Sequence, residues 1–173
     1  MDANARREKI YAMIRQQQSP TSASFLAQAL NVSRQAIVGD VALLRAQGCD
    51  IIATSRGYIM PTLRETGQYL GKLACQHKPE DTRLELYTIV DLDALVLSVT
   101  VEHEIYGEIT GNLNLSRRSD VDAFVEKLEA SGAKLLSELT MGIHLHTIAA
   151  RDKAHFEQLH RALEGKGLLY RGA

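Results

Sequence analysis

Two histidines one residue apart, His144 and His146 in Gly142-Ile143-His144-Leu145-His146-Thr147, are the side chains of this chain best suited to chemistry. If the segment is a strand, residues i and i+2 share a face, and both imidazoles are poised to share a metal ion. His77 and Glu85 extend the set. Pro79 lets the chain turn from a strand ending at His77 into a helix, so that the Glu85 carboxylate can fold back beside the imidazole. Three imidazoles and one carboxylate form a borderline nitrogen and oxygen site suited to zinc, nickel, iron or manganese. Neither Cys49 nor Cys75 is expected to contribute, which disfavours a closed structural zinc site. His103, at an expected strand end, is read as a fifth contributor or a pocket wall. His155 and His160 are read as solvated positions on the last helix.

A second group of residues suits nucleic acid. Ser33-Arg34-Gln35 opens an expected helix, with Ser33 as its N-cap. Arg34 has the geometry to reach guanine O6 and N7, and Gln35 to pair with adenine N6 and N7, with Val38 beside them. Arg56 lies at the tip of an expected hairpin, where it would meet phosphate or the minor groove. Gly39 is awkward inside such a helix, since glycine costs about 1 kcal/mol relative to alanine there. Close approach to DNA or to the preceding helix would explain it.

Positioning these groups takes two modules. Residues 3–18 and 22–30 show apolar faces at helical spacing, and Ser19-Pro20-Thr21 is expected to break the first helix and cap the second. A third helix runs from Ser33 until Gly48 stops it, and a hairpin spans 51–60. Helix, helix, helix, hairpin is the order of a winged helix, whose third helix enters the major groove. The second module reads as strand 68–77, helix 79–92, strands 94–101 and 108–115, helix 120–130, strand 142–149, helix 152–165 and a short strand 168–170. That order predicts an α+β sandwich with a mainly antiparallel sheet, so the expected domains are 1–62 and 63–173.

Composition agrees with two soluble modules. The chain has 173 residues, 45% hydrophobic and 24% charged, which is globular rather than disordered. No apolar run approaches the ~18–20 residues of a membrane span. The polar first residues show no secretory signal, and two cysteines read as reduced thiols of a cytoplasmic protein. Residues 1–62 hold seven basic against four acidic side chains, whereas 63–173 hold 13 against 17 and all six histidines. A basic module joined to an acidic, histidine-bearing one suggests separate tasks.

These residues together resemble the bacterial three-histidine-domain repressors, which join a winged helix to a small-molecule-binding domain. The resemblance covers nearly the whole chain. It rests on Ser33-Arg34-Gln35, on His77 with Glu85, on Val101-Glu102-His103-Glu104-Ile105-Tyr106-Gly107-Glu108 and on the His144–His146 strand. The chain departs from the pattern at Gly39, and at Glu104, where proline commonly precedes the tyrosine-glycine pair. The resemblance implies a niacin-responsive transcription repressor, not an enzyme, that binds operators of NAD-biosynthesis or niacin-uptake genes with nicotinic acid as effector. It also implies a metal held by His77, Glu85, His144 and His146.

Tyr106 and Arg83 are candidate pocket residues, Arg83 because a guanidinium pairs with a carboxylate. A homodimer on double-stranded operator DNA is expected, because one winged helix reads few base pairs. Two rival readings use the same residues: a repressor for which the metal itself is the signal, and a metal-dependent hydrolase.

Overall fold

The computed structural model describes residues 2–61 and 68–172. The chain divides into two compact units, Met1–Leu63 and Arg64–Ala173. The expected boundary at 62/63 lies outside the described residues.

The first unit follows its local signals. Helix α1 (Ala3–Arg15) is capped by Asp2, α2 (Ala23–Leu30) by Ser22 and α3 (Arg34–Ala46) by Ser33, each side chain accepting a backbone N–H three residues on. Ser22, rather than Ser19-Pro20-Thr21, is therefore the cap of α2. Thr21 instead pairs with Tyr58, exchanging N–H···O bonds of 2.8 and 2.9 Å. The turn between α2 and α3 is made by Asn31, in the left-handed conformation at φ 53°, which asparagine tolerates better than most residues. Strands β1 (Ile52–Thr54) and β2 (Gly57–Ile59) form the hairpin. Ile10, Ile14, Leu26 and Ile37 are fully buried between the helices, each stabilising the unit by roughly 1.5–3 kcal/mol. Asp40, buried on α3, accepts from Arg6 Nε at 2.6 Å and lies 3.5 Å from Arg7, tying α1 to the third helix.

The second unit is a four-stranded antiparallel sheet in the order β3-β6-β4-β5, made of β3 (Tyr69–Gln76), β4 (Leu95–His103), β5 (Gly107–Leu115) and β6 (Ile143–Ala150). Its helices are α4 (Thr82–Val90), α5 (Arg118–Ser131) and α6 (Lys153–Gly165). The core joins Leu73, Val96, Leu115 and Ile148 of the sheet to Leu86, Val121 and Leu159 of the helices. Pro79 opens a short 3-10 turn, Pro79–Asp81, that leads into α4.

Two expectations are corrected here. Residues 168–170 form no strand: Gly167, at φ 71°, turns the chain against the edge of β3 for a single bridge, Cys75 to Leu169. His155 is not solvated. Its ring accepts from the Arg151 N–H at 3.1 Å and donates to the Leu92 carbonyl, so it joins the start of α6 to the end of α4 and is buried. His160 is exposed. Among the described residues no helix is long and apolar enough to cross a membrane.

Candidate functional site

Strand β6 buries both members of the His-x-His pair, as period-two alternation requires. Helix α4 crosses the same face and presents Glu85, 1% exposed. Its Oε1 lies 3.0 Å from Nε2 of His144, and its Oε2 lies 3.2 Å from Nε2 of His146 and 2.7 Å from Nε2 of His77. The imidazoles stand edge to face, with centroids 5.0 Å apart for His77–His144 and 4.8 Å for His144–His146.

The backbone sets the protonation pattern. Nδ1 of His77 lies 2.8 Å from the Lys78 carbonyl, Nδ1 of His144 2.8 Å from the Gly142 carbonyl, and Nδ1 of His146 3.1 Å from the Ser98 carbonyl. A carbonyl only accepts, so each Nδ1 carries the hydrogen. All three Nε2 atoms are thereby turned on one carboxylate. At His77 the short contact is an ion pair misaligned for a hydrogen bond, so that buried nitrogen has no hydrogen-bond partner.

Two local features make the arrangement possible. Gly142, at φ 89°, sits against His77: a Cβ there would lie 2.6 Å from the His77 carbonyl oxygen. Strand β4 carries a bulge between Val96 and Ser98, and Ser98 is the residue whose carbonyl holds His146.

Electrostatics follow from burial and charge. Burial alone would push the Glu85 carboxyl up, but the charge on His146 and the hydrogen bonds of the imidazoles hold it well below the usual carboxylate range. For His77 and His146, burial acts downward and Glu85 more than reverses it, leaving both raised. Positive charge, from protons or from a cation, is what keeps this carboxylate buried; an uncompensated buried charge costs about 3–5 kcal/mol. The donor set of three imidazole nitrogens and one carboxylate fits a borderline divalent ion, each imidazole fixed through its far nitrogen as metal-ligating histidines usually are.

Cys75, expected to stand apart, is brought into this cluster. It faces His144 in the β3–β6 register and is fully buried. Its Sγ, a Glu85 oxygen and a His144 ring nitrogen all lie within 4.8 Å of one another. Burial, then the Glu85 charge, pushes the thiol far up.

The proposed pocket residues lie elsewhere. His103 closes β4, and its Nδ1 accepts from the N–H groups of Ile105 and Tyr106 at 3.2 and 3.3 Å, bracing the β4–β5 turn on which Tyr106 is exposed. Arg83 donates to Asp122 of α5 at 3.1 Å, and Tyr87 bonds the same carboxylate. A different cavity, of about 340 Å³, adjoins the cluster and is lined by His77, Lys78, Pro79, Ser137, Met141 and Gly142 among others. Nothing in residue type marked Lys78 out; its place beside His77 is the signal.

In the first unit Arg34 and Gln35 are exposed on the first turn of α3, Val38 is half-buried, and Ser33 Oγ caps the helix at 3.1 Å from the Ala36 nitrogen. Arg56 lies in the β1–β2 turn, half-buried. A Cβ at Gly39 would meet nothing within 4 Å, so close packing on a neighbouring helix is not the reason for that glycine.

Comparison with known proteins agrees with both units. Residues 71–172 match the 3H domain family and residues 6–59 a helix-turn-helix domain family. The chain is 40% identical over 171 residues to the transcription repressor NadR of Bacillus subtilis, covering 98% of this chain and 94% of that protein. It is 38% identical over 167 residues to the probable transcription repressor NiaR of Thermotoga maritima, covering 95% and 94%.

Proposed function

Given that this chain belongs to the family of transcription repressors that join a helix-turn-helix domain to a 3H domain, we propose that it represses NAD-biosynthesis or niacin-uptake genes in response to nicotinic acid. In this reading His77, Glu85, His144 and His146 hold a divalent transition metal. The observation that carries it is the convergence of three Nε2 atoms, one of them with no aligned hydrogen bond, on a single buried carboxylate. When bound, the ion supplies positive charge and Lewis acidity to a carboxylate or pyridine nitrogen.

The residues of the chain do the rest. Glu85 balances the cationic cluster, and the three backbone carbonyls keep the imidazoles oriented. The cavity beside His77, with Lys78 on its wall, is the place for an aromatic acid, since an ammonium attracts a carboxylate. This moves the effector away from Arg83, whose guanidinium is taken by Asp122. Ser33, Arg34, Gln35 and Val38 face the major groove and Arg56 the backbone of operator DNA, in the cytoplasm. A homodimer presents two such helices, and effector binding favours one spacing of them. The gain in DNA affinity equals the differential affinity of the effector for that state, typically ~1–3 kcal/mol.

Calorimetric titration of nicotinic acid into nickel-loaded and chelated protein, with nicotinamide for comparison, tests the reading. Saturable binding that needs metal and prefers the acid is the expected result. Absence of binding in both forms would overturn the effector assignment.

A further inference from the structure

We infer that Cys75 is a fifth donor to the same ion, a soft ligand added to the imidazole and carboxylate set. This rests on the metal reading above and deepens it. The register of β3 against β6 places Cys75 directly across from His144, and the sheet face carrying both is covered by Glu85 of α4. Three ligand atoms, Cys75 Sγ, a Glu85 oxygen and a His144 nitrogen, fall within 4.8 Å of one another, the spread of atoms around one cation. Outside the cluster the thiol has only a long contact to the Leu73 carbonyl, at 4.0 Å, and its other partner is the Glu85 carboxylate of the site itself. Independently, Nε2 of His77 is buried in the cluster, its side chain 4% exposed, and makes no aligned hydrogen bond although Glu85 Oε2 is 2.7 Å away, a polar atom aimed into the site that a cation would satisfy.

A sulfur donor changes which ion the site prefers. Thiolate favours zinc, cobalt or nickel over manganese, whereas oxygen donors favour manganese and magnesium. On binding, the ion takes the place of the S–H proton, which leaves to solvent. The site would then discriminate against manganese and magnesium, the hard ions that suit oxygen donors.

Cobalt(II) distinguishes the two levels of the claim. It is titrated into the full-length protein carrying Cys49→Ser, so that Cys75 is the sole thiol. Visible ligand-field bands report cobalt at the site, and a near-ultraviolet sulfur-to-cobalt band reports the thiolate. Both bands are expected. Adding Cys75→Ala should remove the near-ultraviolet band, keep the visible ones, and lower the zinc-over-manganese preference at least tenfold. Visible bands without a sulfur band in the Cys75-containing protein would exclude Cys75 and leave the metal reading standing. No visible bands would remove both. Should the alanine variant fold poorly, Cys75→Ser, closer in shape, serves the same comparison.

Discussion

Glu85 shows what a single residue does here: a carboxylate placed in the core of the unit is tolerable only because three imidazoles meet it. In the metal-free protein that role falls to protons. His77 and His146 are raised above the usual imidazole value and Glu85 is held below the usual carboxylate range. The stabilisation is therefore complete in mildly acidic solution, below the ordinary imidazole value, and is lost as pH rises through the raised values of the two histidines. At the acid end it is lost again as Glu85 takes up its proton. The thermal midpoint of chelated protein, followed from about pH 4 to 9, should peak in mild acid and decline above neutrality. A profile that keeps rising into the alkaline range would contradict this account. Replacing Glu85 with Gln removes the only carboxylate of the four-residue set, and metal affinity, read by chelator competition, should fall by at least the ~100-fold that loss of an outer-shell partner can cost.

At the scale of elements, two glycines separate geometry from function. Gly142 begins the approach to β6 at φ 89° and against the His77 carbonyl, so Gly142→Ala brings both strain and a clash. Chemical denaturation should show a loss of roughly 1–3 kcal/mol, together with weakened metal binding as His77 is displaced. An unchanged midpoint would mean that β6 accommodates the shift. Gly39 is the opposite case. It has open space around its Cα, so Gly39→Ala should stabilise the protein by about 1 kcal/mol through helix propensity. If the missing side chain makes room for DNA, the same variant binds operator more weakly while unfolding at higher denaturant. Equal or tighter operator binding would dismiss that explanation. The start of α3 was legible because its Ser33 cap acts within one helical turn, whereas the cap of α2 proved to be Ser22.

For the whole molecule, the two units must communicate if the proposed repressor is to respond. Replacing both His144 and His146 with Ala should leave basal operator binding by the helix-turn-helix unit and abolish its dependence on nicotinic acid. Fluorescence anisotropy with labelled operator, with and without effector, reads both quantities. A double variant that still responds fully would place the effector site elsewhere. In the same assay Arg34→Ala should cost ~1–3 kcal/mol against the best operator and relax specificity at one base pair.

What could be read from sequence alone was whatever depends on near neighbours. The strand period of two put His144 and His146 on one face, the Ser33 cap opened the third helix, and Pro79 turned the chain so that Glu85 could return to His77. What needed the tertiary structure depends on pairings far apart in the chain. Strand register decided that Cys75 faces His144, the bulge in β4 brought the Ser98 carbonyl to His146, and the docking of α6 on the end of α4 buried His155. Arg83 looked free for a ligand because Asp122, its partner, lies on another helix. Local rules set which side of an element a residue occupies; only packing decides which other element that side meets, since the energy of that contact comes from the partner's surface.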